Sequence, residues 1–276
     1  MSTIGKEIRL KRLIPEDDGL YFGLTIDHAM ARGVLPGIYN VEDTIKKLMV
    51  GKPDGITMHK GIAEHCFSDY AGLVPLVLKC TTFSPFHPGE DVVVSDVEEG
   101  IRMGADAISV GCIVGGDNQS SQINTLGTFS KIANEMGMPI MTHIYPRGNL
   151  IPKEERYDWK NILYATRAAA ELGVDLIKTD YPGDPESFAK VVQGTPAKVF
   201  IAGGFNTDTV QEYLQMTRDI IDAGGMGVTY GRYVFSYKDP TSLVIVLRKI
   251  IHEKYSVKEA MELLEHLINE REVAHV

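Results

Sequence analysis

A pattern that occurs five times along the chain constrains its fold more than any other feature. In each copy a helix-like segment closes on Gly, or on a turn containing Gly, and an apolar run follows within a few residues. Glycine after a helix supplies the left-handed residue that ends it, and a short apolar run is typical of a parallel strand covered on both faces. The five copies are 103–110, 136–141, 172–177, 194–201 and 223–229.

About eight strands are predicted in all, and helical patterns fill the intervals between them. Strict alternation of strand and helix through eight units favours a closed (β/α)8 barrel, the TIM-barrel class of α/β fold. A doubly wound sheet is the main competitor. The predicted strands span 20–27, 55–60, 74–80, 107–113, 139–145, 175–180, 198–203 and 227–231, and the clearest predicted helices span 118–136, 158–172, 207–223 and 240–253.

No Gly/Ser-rich linker or charge run marks a domain boundary, so the sequence predicts one domain over 1–276, with the barrel proper at about 18–253. The first dozen or so residues form a lead-in segment, and an extra amphipathic C-terminal helix is expected at 257–272. Its apolar stripe predicts either a contact in a homo-oligomer or packing on the barrel's own helices. The stripe consists of Val257, Ala260, Leu263, Leu264 and Leu267.

Composition excludes several classes of partner. A net charge of −9 argues against nucleic acid and anionic membrane surfaces, which need a basic face. The chain has no apolar stretch of membrane-spanning length and no signal-peptide pattern, and its three cysteines form no CxxC pair. These features predict a cytoplasmic protein with reduced thiols. The eight histidines show no metal-ligand spacing, so no metal is expected, although convergence in space leaves a metal-dependent mechanism as a minor alternative.

The sixth predicted strand ends in Lys178, after an apolar run. In such barrels the chemistry lies at the C-terminal ends of the strands. Burial lowers the pKa of a lysine, and its free amine can then form a Schiff base with a carbonyl substrate. Position alone leaves alternatives: Lys178 could be solvated or paired with Asp27 or Asp180, and Lys60 or Lys79 could be the reactive lysine instead.

Other polar residues occupy neighbouring strand ends. Asp27 is either a cap or ion-pair partner, or a carboxylate that moves protons beside the lysine. Tyr145 either packs its ring in the core and leaves its hydroxyl in water, or acts as an acid–base group for the alkoxide formed when a carbon–carbon bond breaks. Supporting roles are expected for His28, Lys60 and His143.

Glycine-containing loops follow the seventh and eighth predicted strands. Barrels often bind phosphate between these two loops, because glycine lets a ligand approach backbone N–H groups closely. Arg232 adds a charge-assisted donor. The predicted phosphate-binding residues are Gly203, Gly204, Gly231 and Arg232.

Together these residues resemble the archaeal-type class I aldolases, which include fructose-bisphosphate aldolases and 2-amino-3,7-dideoxy-D-threo-hept-6-ulosonate synthase. The resemblance runs from about Asp18 to Ile268. Several matching phrases in the same order, each in its own barrel unit, are far more specific than any one of them. They are 27–28, 59–61, 98–107, 145–148, 177–179, 202–204, and 231–232 with Phe235.

The resemblance implies a cofactor-independent lyase in which Lys178 forms the Schiff base and Lys60 and Lys79 have lesser roles. Tyr145 is then the proton donor and acceptor, and Asp27 is the carboxylate beside the imine. The implied substrate is a phosphorylated sugar. The first choice is reversible cleavage of fructose 1,6-bisphosphate to dihydroxyacetone phosphate and glyceraldehyde 3-phosphate, a step of glycolysis and gluconeogenesis. The alternative is the heptulosonate synthase, a transaldolase-type step towards aromatic precursors.

Three positions depart from the family pattern and bear on substrate identity. Ala29 follows Asp-His where Gly is common, Phe205 follows the glycine pair in place of a small residue or Pro, and Tyr233 replaces Asn after Gly-Arg. These changes also motivate a hypothesis from another class, a catalytically silent barrel that only binds sugar phosphates. Retention of Asp27, Tyr145 and Lys178 weighs against it.

Overall fold

A computed structural model of the protein describes residues 3–15, 17–203 and 207–274. Eight parallel strands close into a barrel, so the predicted (β/α)8 fold is confirmed. Around the ring the strands follow the order β1-β10-β9-β8-β7-β6-β3-β2, and the other two strands form a separate hairpin. The bounds are β1 (Tyr21–Thr25), β2 (Gly55–Met58), β3 (Leu76–Lys79), β4 (Thr81–Ser84), β5 (His87–Val93), β6 (Ala107–Ile113), β7 (Ile140–Tyr145), β8 (Leu176–Thr179), β9 (Lys198–Ile201) and β10 (Gly227–Tyr230).

Helices fill the connections, and those predicted from sequence agree with the structure to within a few residues at each end. Several of them begin after side-chain caps, for example the Thr209 and Glu212 capping box before α9 and the Asp239 cap before α11. The described residues form α1 (Ile4–Leu13), α2 (His28–Arg32), α3 (Val41–Met49), α4 (Lys60–Cys66), α5 (Val97–Arg102), α6 (Gln119–Glu135), α7 (Trp159–Glu171), α8 (Pro185–Gly194), α9 (Val210–Asp222), α10 (Arg232–Phe235), α11 (Pro240–His252) and α12 (Val257–Ala274).

The predicted first strand is too long at its C-terminal end. The strand stops at Thr25, and Asp27 occupies the N-cap position of the short helix α2. The second strand, predicted to run to residue 60, likewise ends earlier, at Met58, so that Lys60 begins α4. Both chain segments start a helix at these points, which moves their polar residues from strand ends to helix starts.

The hairpin of β4 and β5 has no counterpart among the predicted elements. Its strands pair antiparallel, from Thr81 opposite Val93 to Ser84 opposite His87. It is inserted between β3 and α5 and packs against α2 and β6, at the mouth of the barrel. The β-branched residues on either side of a proline-rich turn are the sequence signal that was available for it.

The N-terminal lead-in is the helix α1, which covers the opposite end of the barrel. Leu13 packs there against Tyr21 and inward-facing apolar residues of the other strands. The ring of Tyr21 needs glycine beside it, since a Cβ on Gly23 would lie 2.5 Å from a ring carbon. This apolar floor closes one end of the barrel and leaves the C-terminal ends of the strands as the open face.

The C-terminal helix α12 packs on α11 and α9 of the same chain. Ala260, Leu264 and Ile268 are buried in this contact. Of the two alternatives for the apolar stripe, the structure therefore shows packing on the barrel's own helices. None of the described helices combines the length and apolar character needed to cross a membrane.

Candidate active site

A cavity of about 1400 Å³ opens at the C-terminal ends of the barrel strands. Its wall includes residues of every barrel unit except the second. Both glycine-containing loops and the β4–β5 hairpin contribute to it. Among the predicted site residues, it brings together Asp27, His28, His143, Tyr145, Lys178, Gly203, Gly231 and Arg232.

Lys178 lies on the inner face of β8 and is 4% exposed. Burial, followed by the attraction of Asp27 in the opposite direction and the repulsion of Lys79, lowers the pKa of its ammonium to about 8. About a tenth of the amine is therefore uncharged at pH 7, far more than for an ordinary lysine, and nucleophilic attack requires this form.

Asp27 faces the same cavity from the start of α2. Its Oδ1 atom accepts a hydrogen bond of 2.6 Å from the Thr25 hydroxyl. Burial alone would raise the pKa of this carboxyl, but its surroundings lower it below the ordinary value, so the group is ionised at neutral pH. The groups responsible are His28, His143, Lys178 and Lys79.

Tyr145 is buried at the end of β7, with the guanidinium carbon of Arg147 3.8 Å from its ring centroid. Burial raises the pKa of the phenol, while Arg147 acts in the opposite direction. The hydroxyl is therefore a proton donor at neutral pH. The nearby cation would also stabilise the phenolate formed when that proton leaves.

Arg147 forms a bidentate ion pair with Asp180, with contacts of 2.7, 2.9 and 3.2 Å. Asp180 is therefore the partner of Arg147, whereas the sequence left it as a partner for Lys178. The carboxylate neutralises this guanidinium, so Arg147 fits a structural role better than a phosphate-binding one.

Two histidines of the cavity wall, His28 and His143, are uncharged at neutral pH. Burial, opposed by Asp27 and assisted by Lys178, lowers the pKa of His28 to about 4. Burial and the cations Lys79 and Lys178 lower the pKa of His143 well below its ordinary value. His28 Nδ1 lies 3.5 Å from Asp27 Oδ1, and its ring meets Phe235 edge-on.

The two rival lysines occupy different places. Lys79 is buried on the cavity wall at the end of β3, where its Nζ lies 3.4 Å from the Thr81 hydroxyl. Lys60 lies on α4, outside the cavity wall, and pairs with Glu99 at 3.0 Å. The structure thus brings Lys79 towards Lys178 and leaves Lys60 apart from it.

The end of the cavity that is predicted to bind phosphate lies between the seventh and eighth barrel units. Gly203 has a φ of +106°, which favours glycine, and it borders the cavity together with Gly231 and Arg232. Arg32, which the sequence interpretation omitted, adds a second guanidinium from α2. Burial, Arg232 and Arg147 lower the pKa of Arg32, as expected where cations converge.

Two of the three departures from the family pattern can be located. Ala29 is exposed on α2, and Tyr233 lines the cavity and stacks on Tyr213, with ring centroids 4.0 Å apart. Gly204 and Phe205 lie outside the described residues.

The hairpin supplies cavity residues that sequence reasoning missed. Among them, Asp91 places its carboxylate against Gly111 of β6, in the space that a side chain there would fill. In the ring of eight strands β6 lies directly opposite β10, the strand that leads to Arg232. Asp91 and Arg232 therefore lie on opposite sides of the cavity.

A metal centre finds no support in the side chains described. Within 3–15, 17–203 and 207–274, no group of three or more His, Cys, Asp or Glu residues is arranged to hold a metal ion. The buried lysine, carboxylate and phenol are instead the set that imine chemistry uses.

Comparison with known proteins agrees with this geometry. The family model for DeoC/LacD family aldolases matches residues 22–237, and the chain belongs to that family. It is therefore an enzyme of the lyase class, and the resemblance to Schiff-base-forming aldolases is confirmed.

Two relatives and one solved structure illustrate the likeness. A Halobacterium salinarum 2-amino-3,7-dideoxy-D-threo-hept-6-ulosonate synthase is 33% identical, covering 95% of this chain and 97% of its own. A Streptomyces griseus 2-amino-4,5-dihydroxy-6-oxo-7-(phosphonooxy)heptanoate synthase is 30% identical, covering 91% and 92%. An archaeal fructose-1,6-bisphosphate aldolase, solved with its catalytic lysine bound covalently to the carbinolamine intermediate, has a TM-score of 0.80 and 26% identity over 90% of this chain and 99% of its own.

Proposed function

We propose that this aldolase acts on a phosphorylated ketose through an imine on Lys178, with fructose 1,6-bisphosphate as the first candidate. The observation that carries the proposal is a buried lysine with a pKa of about 8, facing the same cavity as an ionised Asp27. The covalent lysine intermediate of the archaeal fructose-1,6-bisphosphate aldolase supports it.

The roles follow from the protonation state of each group. The ketone condenses with Lys178, and the protonated imine acts as an electron sink. In the condensation direction the Tyr145 phenol protonates the new alkoxide, and in cleavage its phenolate, stabilised by Arg147, takes the proton of the C4 hydroxyl as the carbon–carbon bond breaks. Reprotonation of the enamine and hydrolysis of the imine then release dihydroxyacetone phosphate. Asp27 stabilises the positive imine.

The phosphate group is assigned to the seventh and eighth units. Gly203, Gly231 and Arg232 border that end of the cavity, and Gly204 is assigned to the same loop from the sequence. Arg32 is a further donor on the wall of the same cavity. Backbone N–H groups and guanidinium groups together suit a dianion.

Replacement of the lysine tests the proposal. The Lys178→Met variant should show no activity and no borohydride-trapped adduct while it keeps the fold, as judged by circular dichroism and thermal unfolding. A trapped adduct that persists in this variant would sink the assignment. If the wild-type protein forms no adduct by mass spectrometry, a catalytically silent binding barrel is favoured, and loss of activity in chelator would revive a metal-dependent mechanism.

A second candidate is a synthase reaction that yields an amino-bearing heptulosonate. Asp91 on the wall opposite Arg232 favours it, because a carboxylate there attracts a cationic group and repels a second phosphate. The product named for the Streptomyces griseus relative carries an amino group at one end and a phosphonooxy group at the other. The buried, protonated Tyr145 also suits the condensation direction.

Assays of both reactions, run side by side, distinguish the candidates. If the second is right, Asp91→Asn should weaken the synthase reaction and leave cleavage of fructose 1,6-bisphosphate no slower. Asp69→Asn, at an exposed position outside the cavity wall, is the matched control. Efficient cleavage of fructose 1,6-bisphosphate by the wild type, without synthase activity, would select the first candidate and place the enzyme in glycolysis or gluconeogenesis.

The cellular setting is part of the same proposal: a cytoplasmic homo-oligomer with neither nucleic acid nor membrane as a partner. The net charge of −9 supports the exclusion of anionic partners. Large apolar side chains that remain exposed, such as Tyr39 and Phe86, are candidates for a subunit contact. Light scattering coupled to size-exclusion chromatography measures the oligomeric state directly.

A further inference from the structure

His143 occupies a position next to the reactive lysine that the proposed mechanism leaves without a role. It lies on β7, where it pairs in register with Lys178 of the neighbouring strand β8. Tyr145 stands two residues further along β7 and therefore faces the same side of the sheet. The imidazole thus belongs to the same inner layer as the lysine, one step deeper than the phenol.

The imidazole is buried but has unused hydrogen-bonding capacity. His143 is 6% exposed and lines the cavity. Its Nε2 atom is buried and has no hydrogen-bond partner among the described residues. A buried polar atom without a partner costs free energy, and such atoms in native structures commonly mark a ligand-binding or catalytic function.

The charges around His143 determine the protonation state of its imidazole. Burial and two cations, Lys79 and Lys178, keep the ring neutral. The lowered pKa makes the neutral imidazole a weak base and its imidazolium a strong acid, so a proton that His143 takes from a neighbouring group is passed on promptly.

We propose that His143 is a catalytic residue of imine formation, carrying protons between the Lys178 nitrogen and the substrate carbonyl oxygen through its Nε2 atom. The proposal rests on the proposed function, since it requires an imine on Lys178. It divides the acid–base work of the site: His143 serves formation and hydrolysis of the imine, and Tyr145 serves the carbon–carbon bond.

The step balances without any other reactant. The Lys178 ammonium and the ketone become a protonated imine and one water molecule, so two protons must leave nitrogen and arrive on oxygen. His143 takes the first from the ammonium, which frees the amine to attack C2, and then gives that proton to the oxygen to form the carbinolamine. It then takes the second from the nitrogen and gives it to the hydroxyl, which leaves as water while the carbon–nitrogen double bond forms. Hydrolysis reverses each transfer.

Single-turnover trapping separates this step from the rest of the reaction. The protein is mixed with dihydroxyacetone phosphate alone, and samples are quenched with borohydride at successive times. The fraction of protein that carries the adduct is then measured by mass spectrometry. We expect His143→Phe and His143→Gln both to slow adduct formation by about 100-fold, a typical general acid–base effect. His65→Gln, at an exposed position on α4, is the matched control and should keep the wild-type rate.

Two readouts distinguish proton transfer from a structural role. Glutamine can form hydrogen bonds but cannot carry a proton, so a wild-type rate in His143→Gln would overturn the proposal. In His143→Ala, added imidazole should restore adduct formation in proportion to its concentration, and failure of this rescue in a protein that retains its thermal unfolding midpoint would also overturn it. If the wild-type protein forms no adduct, the proposed function and this inference are both overturned. If the wild-type protein forms the adduct and the His143 variants form it at the same rate, this inference alone is overturned.

Discussion

Arg147 and Asp180 are joined by a bidentate ion pair that spans the ends of two neighbouring strands, with the shortest contact at 2.7 Å. The Asp180 side chain is 3% exposed, and the arginine it holds lies over the ring of Tyr145. The pair therefore fixes a cation beside the phenol that is proposed to carry the C4 hydroxyl proton. Its position on the cavity wall alone would have suggested that Arg147 binds the substrate.

Breaking this pair should reduce both stability and activity. Asp180→Asn leaves the guanidinium without its counter-ion, and we expect the free energy of unfolding to fall by about 2 kcal/mol, less than for a fully buried pair because Arg147 is partly exposed. Turnover should fall as well, since Tyr145 loses its positioned cation. Urea denaturation and steady-state assays measure the two effects. Asp222→Asn, which removes the mainly exposed partner of Arg218, is the control and should cost less than about 0.5 kcal/mol.

The rate of imine formation should depend on pH through the Lys178 amine. Only the uncharged amine attacks, and the pKa of this group is about 8. The trapping rate should therefore rise about tenfold for each pH unit below that value and level off above it. A rate that continues to rise towards the ordinary lysine pKa would contradict the burial argument.

Replacing a neighbouring charge should move this profile in a known direction. Lys79 lowers the pKa of Lys178 and Asp27 raises it. Lys79→Met should therefore shift the profile to higher pH, and Asp27→Asn to lower pH, each measured by the same trapping experiment. A shift of both variants in the same direction would show that their effects come from altered packing.

Loss of Arg232 should affect phosphorylated substrates selectively. We expect Arg232→Ala to raise KM for the ketose phosphate by about tenfold, as for loss of one charge-assisted hydrogen bond near solvent. Adduct formation with unphosphorylated dihydroxyacetone should change little. Arg102→Ala, on the exposed face of α5, is the matched control. An equal loss with both ketones would place Arg232 elsewhere in the mechanism.

His252 should make stability depend on pH at the opposite end of the barrel. Burial disfavours its charged form, but hydrogen bonds of 2.9 Å to Asp54 and to Asp18 outweigh that effect and raise its pKa. The charged imidazole therefore stabilises the fold at pH values below about 6.5, the unfolded pKa, and this contribution is lost as pH rises through the higher folded value. Urea midpoints measured across this range should fall with pH in the wild type and less so in His252→Gln. His266→Gln, which removes an exposed pair on α12, is the control and should leave the dependence intact.

The barrel, and the place of Lys178, Tyr145 and Asp27 at its C-terminal end, were predictable from sequence because the signals are local. A glycine that ends a helix and an apolar run that forms a strand can each be recognised within a few residues. Eight such units imply closure, and closure places Lys178, Tyr145 and Asp27 at one end of the barrel. The β4–β5 hairpin was missed because it interrupts the third unit, and its mostly exposed strand β5 begins with polar residues, Pro and Gly rather than the apolar run that marks a barrel strand.

The partners of the charged groups could not be predicted in this way. Asp180 was as good a partner for Lys178 as for Arg147 until the lengths of the side chains and the loop after Tyr145 were placed in space. Lys60 and Lys79 were equivalent in sequence, and only the turn into α4 separates Lys60 from the cavity.

The sequence by itself determined the class of fold, the end of the barrel that carries the chemistry, and the residue types that define an imine-forming aldolase. Only the tertiary structure decided that Arg147 binds Asp180, that α12 covers α11 and α9, and that Asp91 lies on the cavity wall opposite the strand that leads to Arg232. The physical reason is how far apart along the chain the interacting residues lie. Helix ends and strand alternation depend on neighbours along the chain, whereas ion pairs, burial and pKa depend on groups that closure of the barrel brings together from distant segments.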